Sequence, residues 1–268
     1  VIPTDTIDRL EQTFHALSAL GAGLTEEQWT SATDLPGWTV QDNLSHLIGI
    51  ERALEGLPAT EHRAVDLSVA KNPIGVANEH EVDARRSMTG REVLQEWNEL
   101  VERRMATLRS GDDDYFNAPT MTPTGPGTLA DFLHIRVLDC WAHEQDIRRA
   151  LDLPGSLDTP SAELTIDRLI RTLPIVIGKR AGTPEGDAVT IEITGPIHRS
   201  LTYEMVDGRA KQVDATTKPA VATVRLDSDS FATLALGRRS ASMLGERITI
   251  EGDATLGQRV LDQLNMMI

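Results

Sequence analysis

Apolar residues recur at three- and four-residue spacing in four separate stretches of the first 155 residues, and the pattern changes character beyond them. Ile7, Leu10, Phe14, Leu17 and Leu20 predict a helix over 4–22, with Thr4 or Thr6 available as its cap. The loop that follows ends in Leu35-Pro36-Gly37-Trp38. Thr39 then caps a second helix, whose Val40, Leu44, Leu47, Ile48 and Leu54 carry it to about Gly56. Thr89-Gly90-Arg91-Glu92 is a capping box, and Val93, Leu94, Trp97, Leu100, Val101 and Leu108 extend a third helix from it to near Gly111. After a turn-rich stretch from Pro119 to Gly127, Thr128 opens a fourth, which reaches about Leu151 and is stopped by Pro154-Gly155. Residues 57–88 are polar, with scattered Pro and Asn. They read as a long connection between parallel or diagonal helices, and as a place for substrate contacts. Four helices joined in this way predict one bundle over 1–155.

From residue 156 onward, a helix at about 160–178 is followed by segments rich in Val, Ile and Thr at 188–194, 200–206, 221–227 and 246–251, which predict strands. Asp207-Gly208 falls where a hairpin turn is expected. Ser228–Leu236 reads as a short helix and Ala254–Met267 as a closing amphipathic one. The second domain, 156–268, is therefore α+β, so the expected fold class is an all-helical N-terminal bundle with a smaller α+β domain.

Composition narrows the partners. Forty-one acidic against 26 basic residues give a net charge of −15, and the Arg-Arg pairs at 85–86, 103–104, 148–149 and 238–239 are each diluted by nearby acids. Such a surface repels phosphate backbones and anionic lipids, so no nucleic-acid or membrane partner is expected. The lone cysteine, Cys140, has no intrachain disulfide partner, no export segment opens the chain and no apolar run is long enough to span a bilayer, which together predict a cytoplasmic protein. An aromatic content of 4% argues against recognition of a large planar ligand by stacking.

The fourth helix carries the chemistry, in the run His134-Ile-Arg136-Val-Leu-Asp139-Cys140-Trp-Ala-His143-Glu144-Gln-Asp146. At about 100° per residue, Asp139 and His143 lie about 40° apart around the axis, and Arg136 about 20° from His143. His134 is about 180° from His143 and Cys140 about 100° from Asp139, so the first is badly placed and the second at best beside the site. A carboxylate and an imidazole four residues apart make a two-point clamp for a divalent ion, which needs a third ligand from another helix. Of the remaining histidines, His46, inside the apolar part of the second helix, is the best placed. Three protein ligands with one open position is a catalytic arrangement, and zinc suits nitrogen and oxygen ligands. On residue pattern alone, an isolated Asp-x-x-x-His is more often an ordinary hydrogen-bonded pair, and a helical histidine a satisfied core residue. Cys140 reads more readily as a small core residue than as a nucleophile. Arg136 is either a catalytic contact or the partner of Asp139 or Asp131.

Two segments, Leu35-Pro36-Gly37-Trp38-Thr39-Val40-Gln41-Asp42-Asn43-Leu44-Ser45-His46-Leu47 and Arg136-x-x-Asp139-x-x-x-His143-x-x-Asp146, resemble the mycothiol-dependent maleylpyruvate isomerase family, whose first domain is a DinB-like metal-binding bundle. Ala235-Leu236-Gly237-Arg238 and Ile248-Thr249-Ile250-Glu251-Gly252-Asp253 resemble the sterol-carrier-like domain often fused to it. The resemblance implies that His46, Asp139 and His143 are the metal ligands, with Asp139 where the family more often has Glu. It implies mycothiol, the cysteine-containing sugar thiol of actinobacteria, as cosubstrate, a second domain that contributes to the active cleft, and Arg238 as a candidate anion contact. A thiol bound at the metal's open position is deprotonated and attacks an electrophilic carbon. The departure at Asp139 favours an S-transferase acting on a small electrophilic metabolite. Maleylpyruvate-type cis-trans isomerisation is the second expectation, and a metal-stabilised protein that binds an apolar ligand without turnover is the third.

Overall fold

A computed structural model describes residues 1–214, 216 and 218–265 and divides the chain into two compact units, Val1–Ser156 and Leu157–Met267. In the first unit, α1 (Thr4–Ala22), α2 (Glu26–Trp29), α3 (Val40–Leu54), α4 (Pro73–Asp83), α5 (Gly90–Ser110) and α6 (Asp113–Asn117) precede a hairpin of β1 (Pro119–Thr122) and β2 (Gly125–Thr128). The unit closes with α7 (Leu129–Ala150). The capping chemistry is local and strong: Thr39, Thr89 and Thr128 each accept from the third helical N–H, while Asp42, Glu92 and Asp131 reach back to the cap N–H.

Helices α1, α3, α5 and α7 form the bundle. α1 packs on α5 and α7, and α3 packs on the same two, so α1 and α3 lie across from each other. α3 and α5 are direct neighbours and run parallel, with Gln41 donating to Met88 O at their starts and Thr107 donating to Glu55 near their ends, which is the parallel alternative of the two expected. The connection itself contains α4, an element the polar pattern of 57–88 concealed. α4 buries only Glu79 and Val82, too few positions to register as a helical stripe, and it is started by Asn72, whose side chain accepts from Gly75 N, with Pro73 at the first helical position. It covers the outer side of α3, so α3 is buried around nearly its whole first three turns. The approach is close at Gly49, where a Cβ would stand 2.7 Å from the Cβ of Glu81.

The second unit contains α8 (Pro160–Ile170), a π-helical turn (Ile175–Arg180), β3 (Ala188–Thr194), β4 (Arg199–Val206), β5 (Arg209–Val213), β6 (Ala222–Asp227), α9 (Ser228–Ala235), α10 (Ala241–Leu244), β7 (Ile248–Gly252) and α11 (Ala254–Asp262). The sheet order is β5-β4-β3-β6-β7, with β3 and β6 parallel and the other pairs antiparallel. Alternation sends Val189, Ile191 and Ile193, Leu201, Tyr203 and Met205, and Val224 and Leu226 to one buried face. The helix expected over 160–178 stops at Ile170 and resumes as the π-helical turn, because Pro174 cannot donate to an α-helical ladder. At the hairpin, Asp207 and Gly208 both have positive φ, 56° and 71°, as a type I′ turn requires. Its return strand, β5, went unpredicted because only Ala210 along it is buried. The last helix ends at Asp262, and its expected final residues, from 266 on, lie outside the described residues.

Candidate metal centre

The site sits between α3 and α7. His46 Nε2 stands 3.4 Å from Asp139 Oδ2, and His143 Nε2 stands 3.6 Å from Asp139 Oδ1. One ligand-capable atom from each of the three residues falls within 4.8 Å of the other two. A tetrahedral ion with bonds of about 2.05 Å separates its ligand atoms by about 3.3 Å, so the three residues fit such an ion with little adjustment. Both histidines are about 5% exposed, while the Asp139 side chain keeps one fifth of its surface open.

Asn43, one turn before His46, defines the state of His143. Its Nδ2 donates to the Thr39 carbonyl at 2.8 Å, which leaves Oδ1 to accept from His143 Nδ1 at 2.7 Å. His143 Nδ1 thereby carries a proton and Nε2 is turned toward Asp139, the arrangement in which an outer hydrogen bond orients a ligating imidazole. Asp146 Oδ2 lies 3.4 Å from the same Nδ1. His46 Nδ1 is buried without a hydrogen-bond partner. Burial lowers the His46 pKa, against the opposing pull of Asp139, and so favours the neutral imidazole a metal needs. Burial alone would raise the Asp139 carboxyl, but Arg136 and the two histidines beside it hold it well below the usual carboxylate range.

Trp38 walls the histidines, with ring centroids 5.2 Å from His46 and 6.0 Å from His143. The Leu35-Pro36-Gly37-Trp38 segment delivers it: Trp38 N donates to Leu35 O, and Gly37 takes φ +78°, which makes a type II turn with proline in the second position. The indole Nε1 then donates to Glu79 Oε2 of α4 at 3.0 Å, and Glu79 is held by Arg86 at 2.7 Å. The connection over 57–88 therefore braces the wall of the site.

His134 Nε2 lies 3.3 Å from Thr6 Oγ1 of α1, on the far face of α7. Arg136 is 1% exposed, and it spends its donors on Glu51, Asp139 and Cys140 rather than on open solvent. Cys140 is fully buried, and its pKa is raised well above normal, chiefly by burial and only partly offset by Arg136. Arg238 belongs to the second unit, where its Nη1 donates to Leu236 O at 2.9 Å. Sequence reasoning found no role for Asn43, Glu51 or, at the site, Arg104. Arg104 carried a signal, because it sits midway between Leu100 and Leu108 on the apolar stripe of α5.

A helical bundle that gathers two imidazoles and a carboxylate at its core, followed by a separate α+β unit, defines a candidate metalloprotein of the helical-bundle class. The chain belongs to the mycothiol maleylpyruvate isomerase N-terminal domain family, whose model matches residues 10–148. Its fold is that of the crystal structure of mycothiol-dependent maleylpyruvate isomerase, with a TM-score of 0.55 at 15% identity over 94% of this chain and 93% of that one. A mutant of that isomerase gives a TM-score of 0.56 at 14% identity over the same shares. Two uncharacterized proteins of Mycobacterium tuberculosis, from strains CDC 1551 / Oshkosh and ATCC 25618 / H37Rv, are each 26% identical over 184 residues, covering 67% of this chain and 69% of theirs. Among the described residues, no helix is long and apolar enough to cross a membrane.

Proposed function

We propose that this protein is a mycothiol-dependent S-transferase that holds a divalent ion, zinc by the nature of its ligands, on His46, Asp139 and His143. The observation that carries the reading is the convergence of those three side chains in the bundle core, with His143 oriented by the bond from its Nδ1 to Asn43. A bound divalent ion would supply Lewis acidity at its open position, where a thiol loses its proton at neutral pH.

The chain's own residues define the rest. Its single thiol, Cys140, is buried and holds its proton tightly, so a reactive sulfur has to arrive with a cosubstrate. Mycothiol is that cosubstrate by family membership. In the transfer, sulfur forms a bond to the electrophilic carbon, the leaving group departs with its electron pair, and the thiol proton ends on the leaving group or in solvent. Trp38 excludes water from one side of the histidines.

A second reading, mycothiol-dependent cis-trans isomerisation, is favoured by the fold likeness to maleylpyruvate isomerase along nearly the whole chain. Incubating the metal-loaded protein with mycothiol and a panel of electrophiles, including cis-dienoic acids, separates the two by mass spectrometry. Transfer gives a persistent thioether adduct of summed mass less the leaving group, and isomerisation gives a product of unchanged mass. Neither product across the panel would overturn the enzyme reading and leave a binding protein.

A further inference from the structure

Below the triad, the bundle core contains a row of alternating charges: Glu55, Arg104, Glu51, Arg136 and Asp139. Arg104 Nη1 donates to Glu55 Oε1 at 3.0 Å and to Tyr115 Oη at 3.2 Å, and its Nε donates to Glu51 Oε2 at 2.8 Å. The other Glu51 oxygen accepts from Arg136 Nε at 2.7 Å. Arg136 Nη1 then grips Asp139 Oδ2, and its Nη2 reaches Cys140 Sγ at 3.3 Å. Arg104, Glu51 and Arg136 are each no more than 1% exposed.

Such a row is an expensive way to fill a bundle. Desolvating each charge costs several kcal/mol, and apolar side chains of similar size often hold a core as well or better. What the row does provide is a fixed plane. Three arms of the Arg136 guanidinium are tied to three different groups, so Asp139 is gripped from one defined direction with its carboxylate aimed at the two histidines. Charge matters too. Arg136 alone would neutralise Asp139 and repel an incoming dication, and Glu51 on its other side restores the local negative balance.

We infer that Glu51, acting through Arg136, is a positioning residue for Asp139 that sets the metal affinity of the site. The inference rests on the metal reading of the triad and extends it to a residue on α3 that touches neither the histidines nor Asp139. It also accounts for how a short aspartate serves as the carboxylate ligand: its reach is fixed from behind by Arg136.

The test is zinc affinity of the full chain, measured by competition with a chromophoric chelator, together with the visible absorption of the cobalt-substituted protein as a report on coordination. Glu51→Gln is expected to weaken zinc at least tenfold and to alter the cobalt spectrum, in line with losses for groups that orient a ligand from outside the coordination sphere. Glu55→Gln removes an equal charge from the far end of the row and is expected to stay within threefold of the parent. Where Glu51→Gln does not fold, Arg136→Lys keeps the charge, loses the three-armed grip and carries the same tenfold expectation. A folded Glu51→Gln or Arg136→Lys within threefold of the parent overturns the inference, as does an equal loss in Glu55→Gln. A parent chain that binds no divalent ion overturns the metal reading itself, and this inference with it.

Discussion

Asn43→Leu isolates the outer hydrogen bond that prepares the site. Asn43 is fully buried, and leucine replaces it with the same number and branching of side-chain heavy atoms. Two short hydrogen bonds are lost, one to the Thr39 carbonyl and one from His143 Nδ1, together with a longer one of 3.4 Å to Thr33 Oγ1. Buried bonds of this kind contribute about 0.5–1.5 kcal/mol each, and the groups left behind add their own desolvation cost, so the metal-free protein should lose about 1–3 kcal/mol. For a unit of this size that corresponds to a fall in Tm of roughly 2–4 °C per kcal/mol. The larger effect is on metal. Asp146 Oδ2, at 3.4 Å from Nδ1, holds the ring less firmly than the 2.7 Å bond to Asn43, so the imidazole is less well oriented and zinc affinity should fall about 10- to 100-fold. Chelator competition reads the second effect and a thermal melt of the apo-protein reads the first. A variant that melts several degrees lower yet binds zinc within threefold of the parent would refute the reasoning, because Asn43 would then be a structural residue only.

Trp38 lies against both histidine rings while Trp29, Trp97 and Trp141 are buried elsewhere, so metal addition should change tryptophan emission, and the change should vanish in Trp38→Phe. Cys140→Ser, which keeps an acceptor for Arg136, should leave turnover within about threefold, whereas a nucleophilic Cys140 would make it fall by orders of magnitude. In the second unit, burial would raise the Asp227 pKa, but hydrogen bonds from Arg247 and Ser230 bring it below its ordinary 3.8. The folded state therefore holds that proton less tightly than the unfolded one. Asp227 contributes stability above about pH 4 that is lost as pH falls through the lowered value, and Asp227→Asn should flatten that part of an acid melting profile.

The long helices were legible because their apolar spacing and capping boxes agree, and α3, α5 and α7 begin at the threonines that the sequence marks. What escaped was held together by tertiary partners. α4 is stabilised by Glu79 and Val82 packing onto α3, and nothing local distinguishes a buried Glu79 paired with Trp38 and Arg86 from a solvated one. β5 exposes most of its side chains at a sheet edge, so alternation is nearly absent. At the site, helical geometry alone put Asp139 and His143 on one face and His134 on the other. His46 came within reach only because α3 and α7 pack together. For Arg136 the sequence left open a catalytic contact or a pairing with Asp139 or Asp131; in the bundle core it pairs with Asp139, and with Glu51, a partner on α3 that spacing along α7 cannot show.

The most direct test of the account is the divalent metal content of the full chain, purified without added metal and then dialysed against equimolar zinc, for the parent and for His143→Ala. The account predicts about one equivalent of metal per parent chain and less than a tenth of that in a folded His143→Ala, as expected for a three-ligand site reduced to two. A parent without stoichiometric metal, or a variant that retains it, would contradict the assignment of His46, Asp139 and His143 as a metal centre.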